Sequence, residues 1–384
     1  MDRIYFDNAA TSYPKPPEVT EAVCRYMTDG GANIGRGSYQ SATAAAEAVF
    51  ELRESLCRLF HAPDPKNVVF TKNITESLNV LLRGLLHPGD EVIASSIEHN
   101  AVLRPLAQLE KGGVVVKQVP CRPDGSMDPK ELFSKVGENT RVVVLIHGSN
   151  VCGTLLPVAE VGELCHKRGI FFVLDTAQTA GVEAIDMEAM HIDAVAFTGH
   201  KGLLGPQGTG GIAMTDAVAA QLEPLILGGT GSQSHLETMP PYLPDRFEAG
   251  TLNLPGLMGL RAAVQWLEKT GIEAVRTHEK ALTSRFLSGI LPLEEGGRLR
   301  IIGRHNTSGR IGVVSLVPTR GDPAALAYEL ERQYGNQTRV GLHCAPAAHK
   351  TLGTFPAGTL RFSFGWYNTP AQMDLAAEAL FKLT

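Results

Sequence analysis

Two apolar runs constrain this chain more than anything else in it. Ile170-Phe171-Phe172-Val173-Leu174 ends in Asp175-Thr176-Ala177-Gln178, and Ala194-Val195-Ala196-Phe197 ends in Thr198-Gly199-His200-Lys201. Both have the length and the β-branched or aromatic content of buried strands. Buried runs bounded by glycine-rich turns point to a parallel sheet, whose ligands bind beyond the carboxyl ends of its strands. One strand brings a carboxylate to that edge and the other an amine. Alone, each is ordinary: a strand-end Asp and a solvated Lys. Together, with Gln178 and His200 at fixed offsets, they fit the needs of pyridoxal phosphate (PLP). The lysine forms the Schiff base, and the carboxylate keeps the pyridine nitrogen protonated so that the ring accepts electrons.

The rest of the chain supports an α/β fold. Helices are expected over 16–29 and 41–61, the second with Ala45, Val49, Leu52, Leu56 and Leu59 near one face. Strand 67–71 leads to helix 75–85, strand 91–95 to helix 100–110, and strand 114–119 follows. Asp128 caps a short helix from Pro129. Strand 141–146 precedes helix 157–168, and an antiparallel strand is expected near Gly210–Met214. After about residue 255 the pattern changes to two long helices over 255–290, then a strand at 311–316, a helix at 323–334, a strand near 359–364 and a last helix from Pro370. With 384 residues, two domains are the natural division: 15–254 as the large one, 1–14 with 255–384 as a smaller α+β domain.

Composition narrows the partners. Net charge is -5 without a basic block, which argues against nucleic acid and anionic membrane. No apolar stretch suits a bilayer span, and the N-terminus lacks the pattern of a signal peptide. Six cysteines at irregular spacing read as reduced thiols in a cytoplasm. No His, Cys and Asp grouping has metal-ligand spacing, so no metal is expected.

Other strand ends supply further candidates. Thr75 opens a helix, where a hydroxyl and free N–H groups make a phosphate cup, although a plain N-cap explains it equally. His99, after strand 91–95, can lie on a pyridine ring and move protons, or simply head a surface helix. Asn150, after strand 141–146, can donate to a ring oxygen or a substrate carboxylate, or be a turn asparagine.

These motifs, taken together, resemble the class V aminotransferase branch of fold-type I PLP enzymes, and within it the cysteine desulfurases of the SufS/NifS-like kind. The resemblance begins at Tyr5-Phe6-Asp7-Asn8-Ala9-Ala10-Thr11. It runs through Thr75-Glu76, Glu98-His99, Ser149-Asn150, Asp175-x-x-Gln178 and Thr198-Gly199-His200-Lys201. It continues in Phe247-Glu248-Ala249-Gly250-Thr251, Arg339-Val340-Gly341-Leu342-His343-Cys344-Ala345, and Arg361 before Tyr367-Asn368-Thr369. It implies a large domain with a mainly parallel seven-stranded sheet. By it Lys201 is the Schiff-base lysine, Asp175 holds the ring nitrogen, Gln178 contacts the ring hydroxyl and His99 stacks on the ring. Thr75, Thr198 and His200 hold the phosphate, and Asn150 belongs with the cofactor- and substrate-binding residues. Thr251 reaches the phosphate of a neighbouring subunit, so a homodimer is implied. Arg361 clamps the substrate carboxylate, and Asn8, Ala9, Asn33 and Arg36 line the substrate region.

PLP alone leaves the reaction open, because transamination, lyase and racemase chemistry share its electron sink. Cys344 narrows it. It lies in the segment Gly341 to Pro346, and a thiolate there can attack the sulfur of PLP-bound L-cysteine, leaving a persulfide and alanine. Cys24, Cys57 and Cys165 have helical, apolar contexts and read as structural. Cys152 has a packing explanation. The short catalytic segment resembles the group that includes selenocysteine lyases, so L-selenocysteine is an alternative substrate. A class V aminotransferase is another alternative. Leu342 stands where many such proteins carry His, and Ile74 where Thr is common. The implied role is sulfur supply to cofactor assembly such as iron–sulfur clusters, through an acceptor protein the sequence does not name.

Overall fold

The computed structural model describes every residue except Met1, Asp2, Arg36 and Ser234. A first short strand, β1 (Ile4–Tyr5), precedes seven that form the central sheet: β2 (Val68–Thr71), β3 (Glu91–Ser95), β4 (Val115–Val119), β5 (Thr140–Ile146), β6 (Phe171–Asp175), β7 (Ala194–Thr198) and β8 (Gly210–Met214). Their spatial order is β2-β8-β7-β6-β5-β3-β4. Only β8 runs against its neighbours, as the sequence pattern predicts.

Side chains alternate across this sheet with a period of two. Ile93, Val143, Leu145, Phe172, Leu174, Val195 and Phe197 face one core, under helices Gln40–Phe60 and Val158–Arg168. Val92, Ala94, Val142, Val144, Val173, Ala194 and Ala196 face the other, under helices Ile74–Leu85 and Asn100–Lys111. Because both faces are covered, the strands read as unbroken apolar runs. Each Val, Leu, Ile or Phe among them withdrawn from water stabilises the fold by about 1.5–3 kcal/mol. Helix Val158–Arg168 stops at Gly169, whose φ of 64° closes the left-handed cap that leads into β6.

The connections place the site. From β3 the chain moves outward to β4 and then returns to β5 on the other side of β3. This reversal opens a crevice at the carboxyl ends of β3 and β5. Beyond residue 254, helices Leu254–Thr270 and Ile272–Glu295 lead to β9 (Leu299–Ile302) and β10 (Val313–Pro318). Then come β11 (Asn336–Gln337), β12 (Arg339–Gly341) and β13 (Thr359–Ser363). Strands β12-β13-β10-β9 form an antiparallel sheet with its own core, including Phe286, Leu316, Phe362 and Leu380. Strand β1 pairs with β11, and Asp7 bridges to Ser363, so the N-terminal segment is sewn to this sheet.

Several boundaries differ from the sequence reading. The first helix is α-helical only over Pro17–Arg25 and continues as a π turn over Tyr26–Gly30. The strand expected at 311 begins at Val313, because the Ile311 N–H donates to the Gly153 carbonyl instead of entering the ladder. Strands β1, β9, β11 and β12 have two to four residues each, too short to show a period. Thr75 is not the cap of its helix: Asn73 is, its Oδ1 accepting from the Glu76 N–H, and the helix begins at Ile74.

Candidate active site at the sheet edge

Asp175 and Thr198 end adjacent parallel strands, with Asp175 opposite Ala196 in register. Lys201 follows three residues after Thr198 in a loop held unusually tightly. The His200 carbonyl accepts from the Ser12 N–H at 3.0 Å, the Thr11 hydroxyl at 3.1 Å, the Ser12 hydroxyl at 3.2 Å and the Lys15 ammonium at 2.8 Å. The Lys201 carbonyl accepts from Ser12 as well. The N-terminal segment therefore fixes the lysine's backbone. Lys201 lines a small chamber with Asn8, Ala9 and Gln178. Its amine makes no hydrogen bond among the described residues.

Burial dominates the electrostatics. It pushes the Asp175 carboxyl up to about 6, against a hydrogen bond from the Ala177 N–H and the attraction of Lys201. It pulls the Lys201 amine down to about 8, against the opposing charge of Asp175. His99 is driven down to about 4 by burial and by the surrounding cations, Lys201 first among them. Its Nδ1 accepts from the Ala101 N–H at 3.0 Å, so the neutral ring carries its proton on Nε2. His200 is likewise lowered to about 4 by burial, with its Nδ1 buried and unpartnered. Thr75 stands exposed in the first turn of its helix. Thr198 makes only a long contact of 3.4 Å to the Thr209 carbonyl.

Asn150 is more engaged than the sequence suggests. Its amide donates to the His343 carbonyl at 2.7 Å, while its Oδ1 is buried without a partner. Gln178 donates to the Ala9 carbonyl at 3.0 Å. Asn8 donates to the Ser363 carbonyl and to Asn368, and the Ala9 N–H donates to the Ser363 hydroxyl. These residues tie the N-terminal segment to β13.

Strand β13 carries Arg361, only 1% exposed. It donates to Asp7 at 2.6 Å and to the Asn150 carbonyl at 3.1 Å, and its Nε is buried without a partner. Directly opposite it on β12 is Arg339. Like charges in that position destabilise a sheet, and Arg339 has no hydrogen bond or ion pair among the described residues. Its charge reaches both His99 and Lys201. Two cations facing one another with one carboxylate between them leave room for a second anion.

Cys344 follows β12 in a tight turn. His343 and Cys344 have φ of 47° and 57°, and two consecutive non-glycine residues in the left-handed region store backbone strain. The Cys344 carbonyl accepts from the Asn100 N–H, next to His99. The thiol is exposed, and its charge is among those felt by Lys201. His343 points the other way. Ser315 Oγ donates to the Val151 carbonyl and Thr359 Oγ1 donates to Ser315, so the His343 Nε2–H donates to Thr359 at 2.9 Å. Burial holds that ring down to about 2. It is a packing residue of the turn.

Not every expected residue converges. Thr251 and Asn33 line an outer cavity of about 770 Å3 that Lys201 and Gln178 do not line. Arg36 lies outside the described residues. Among the other cysteines Cys24 is exposed, contrary to the expectation of a buried thiol, and Cys57 is half-buried. Cys165 is buried as expected, and Cys152 packs against Thr154. The sequence reading missed the roles of Asp7 and Lys15. A carboxylate directly after an apolar opening strand was the available signal for Asp7. It also passed over Glu98, which is fully buried: burial raises its carboxyl to about 8, while Oε1 accepts from Ser95 and the Ile146 N–H.

A fold-type I sheet edge with an acid and an amine at neighbouring strand ends defines a class of protein, and comparison supports it. A model of the aminotransferase class-V family matches residues 4–375, and the chain belongs to that family. Its similar proteins within the family are cysteine desulfurases. A probable cysteine desulfurase of Methanothermobacter thermautotrophicus is 34% identical over 389 residues, covering 100% of this chain and 95% of that protein. A cysteine desulfurase of Haloferax volcanii is 31% identical, covering 98% and 88%. Among solved structures, the apo cysteine desulfurase of Thermococcus onnurineus matches with a TM-score of 0.92 at 31% identity, covering 99% of this chain and 94% of that one.

Proposed function

We propose that this chain is a PLP-dependent L-cysteine desulfurase, which takes the sulfur of L-cysteine as a persulfide on Cys344 and releases L-alanine. The observation that carries this reading is the exposed Cys344 thiol on a strained turn, beside the lysine chamber, in a chain whose relatives are cysteine desulfurases.

The residues present fit PLP. The buried Asp175 carboxyl, pushed up to about 6 by burial, suits a protonated ring nitrogen. The unpartnered Nδ1 of His200 and Oδ1 of Asn150 are buried polar atoms suited to a ligand's hydrogen bonds. Lys201 would attach the cofactor, His99 and Gln178 would hold its ring, and Thr75, Thr198 and His200 would hold its phosphate. When bound, PLP supplies the electron sink that the reaction requires.

The protein's own groups supply the rest. Arg339 and the free Nε–H of Arg361 bind and orient the substrate carboxylate. His99, neutral with its proton on Nε2, can give that proton and take it back at the same atom. Lys201, with its amine lowered to about 8, exchanges protons near neutrality. Cys344 Sγ attacks the substrate sulfur as a thiolate: a sulfur–sulfur bond forms, the carbon–sulfur bond breaks, and a proton completes the methyl group of alanine. The persulfide then serves a sulfur acceptor.

The reading extends to a homodimer in which Thr251 reaches the phosphate of the other subunit, supported by the separation of Thr251 from the chamber of its own chain. It also extends to a division into domains 15–254 and 1–14 with 255–384, supported by the pairing of β1 with β11. Among the described residues no helix is long and apolar enough to cross a membrane. The test is incubation of the PLP-loaded protein with L-cysteine, with alanine and sulfide quantified and mass spectrometry locating the extra sulfur. The expected result is one extra sulfur on Cys344 after L-cysteine alone and, once a dithiol is added to reduce the persulfide, sulfide equal to alanine. Turnover that needs a keto acid and ignores Cys344 would instead indicate an aminotransferase, and turnover of selenocysteine alone a selenocysteine lyase.

A further inference from the structure

Behind Lys201 the molecule has a second opening. The chamber that Lys201 lines holds about 40 Å3, enough for at least one water. A larger cavity of about 390 Å3 opens at the surface beside Arg276, Lys280 and Ser308. The two share four wall residues: Val182, Glu279, Ile311 and Gly312. Three are apolar or lack a side chain. The fourth is a carboxyl group in helix Ile272–Glu295, only 8% exposed. Neither of its oxygens has a hydrogen bond among the described residues. A Cβ added at Gly312 would come within 3.4 Å of Glu279 Oε2, so the acid reaches the wall the two cavities share. Cys344 lines neither space.

We infer that Glu279 is a proton relay between solvent and Lys201, working through water in a passage that leads to the chamber lined by Lys201 and that Cys344 does not line. In one cycle the Glu279 carboxylic acid gives its proton to a chamber water. That water passes one of its own to the Lys201 nitrogen, and Glu279 recovers a proton from the outer cavity. One proton enters, one is delivered, and nothing is oxidised or reduced. The reverse sequence removes a proton.

The surroundings suit the task. An unpaired buried carboxyl costs stability that an apolar residue would avoid, and such groups concentrate at functional sites. Burial first, then the negative charge of Glu183, raise Glu279 to about 8, so near neutrality it holds a proton to give. The charges facing the neck are accounted for. Glu183 is paired with Arg276 at 2.9 Å. Lys280 sits at the outer rim. Arg310 is turned to the Val313 carbonyl. On the chamber side Lys201 is the only other charged group among the described residues.

This inference rests on the PLP reading, and the experiment separates the two. The PLP-loaded protein is mixed rapidly to a new pH, and the relaxation of the cofactor's visible band reports protonation of the Lys201 nitrogen. Glu279→Gln keeps the shape and the hydrogen-bonding capacity but carries no transferable proton. It should slow the relaxation at least tenfold while leaving the initial and final spectra unchanged, and Glu279→Asp should restore part of the rate. Gly312→Ala, which keeps the acid but narrows the neck, should slow it too. Wild-type relaxation in Glu279→Gln overturns the relay. Should Glu279→Gln fail to fold or to retain cofactor, wild-type relaxation in Gly312→Ala overturns the passage. A wild-type protein that takes up no PLP overturns the cofactor reading, and the relay with it.

Discussion

Replacing Asp7 by Asn should weaken the fold and tighten the site at once. Arg361 has a side chain 2% exposed, and Asp7, 22% exposed, is its only counter-charge among the described residues, at 2.6 Å. Asn keeps the shape and a carbonyl oxygen but removes the charge, leaving a buried guanidinium directly opposite Arg339. Breaking a buried pair costs about 3–5 kcal/mol. The partial exposure of Asp7 puts this case near the low end, at about 3 kcal/mol. In the unliganded protein, denaturant unfolding should therefore shift by that amount. Ligand binding should move the other way. Asp7 repels any carboxylate that approaches Arg361, and a unit charge about 5–8 Å away contributes roughly 2–3 kcal/mol at an effective dielectric of about 20. Removing it should tighten binding of a simple carboxylate, such as propionate, by about 30- to 150-fold, read by calorimetric titration. Weaker carboxylate binding in Asp7→Asn, or unchanged stability, would refute the view that Arg361 is shared between Asp7 and the ligand.

Further outcomes follow from other groups. Cys344→Ala should keep PLP and change stability by less than about 0.5 kcal/mol, since the thiol is exposed, while sulfide release from cysteine is lost; retained release would return the chain to generic class V chemistry. Thr251→Ala should speed PLP dissociation without changing the far-ultraviolet spectrum, and a fully active monomer by sedimentation would contradict the shared site. On the acid side, burial lowers His99, His147, His200 and His349 to about 4. Their contribution is present above the unfolded value of about 6.5 and lost as pH falls through about 4, so unfolding free energy should decline over that window. Glu98 has the opposite sign: raised to about 8, it contributes fully below the unfolded value of about 4.3, and the contribution is lost as pH rises through about 8. Glu98→Gln should flatten the decline between about pH 4.3 and 8 in a urea-unfolding series, and an unaltered slope would show that Glu98 is ionised in the fold.

What the sequence determined by itself was local and periodic. The runs before Asp175 and Lys201 are apolar on both faces because both faces of β6 and β7 are buried, so composition alone marked them as central parallel strands. Turn chemistry marked where they ended, and in a parallel sheet the strand end is where ligands bind. His99, Asn150, Asp175 and Lys201 were therefore legible as residues at or just beyond strand ends from the order of residues alone. The tertiary structure decided what depends on long-range contact. Asp7 meets Arg361 across 354 residues of chain, and no local pattern encodes that distance. Arg339 lies beside Arg361 only because β12 and β13 pair in one register. The length of those strands is too small for a periodic signal, and polar residues chosen for the site interrupt it further. The direction of His343, away from its sequence neighbour Cys344, was set by the Thr359–Ser315–Val151 hydrogen-bond chain, whose members come from three separate parts of the sequence. Glu279 looked like one more polar position on a long helix. Only the packing of that helix against Gly312 and Val182 put its carboxyl between two cavities, because burial belongs to the assembled fold and not to the residue.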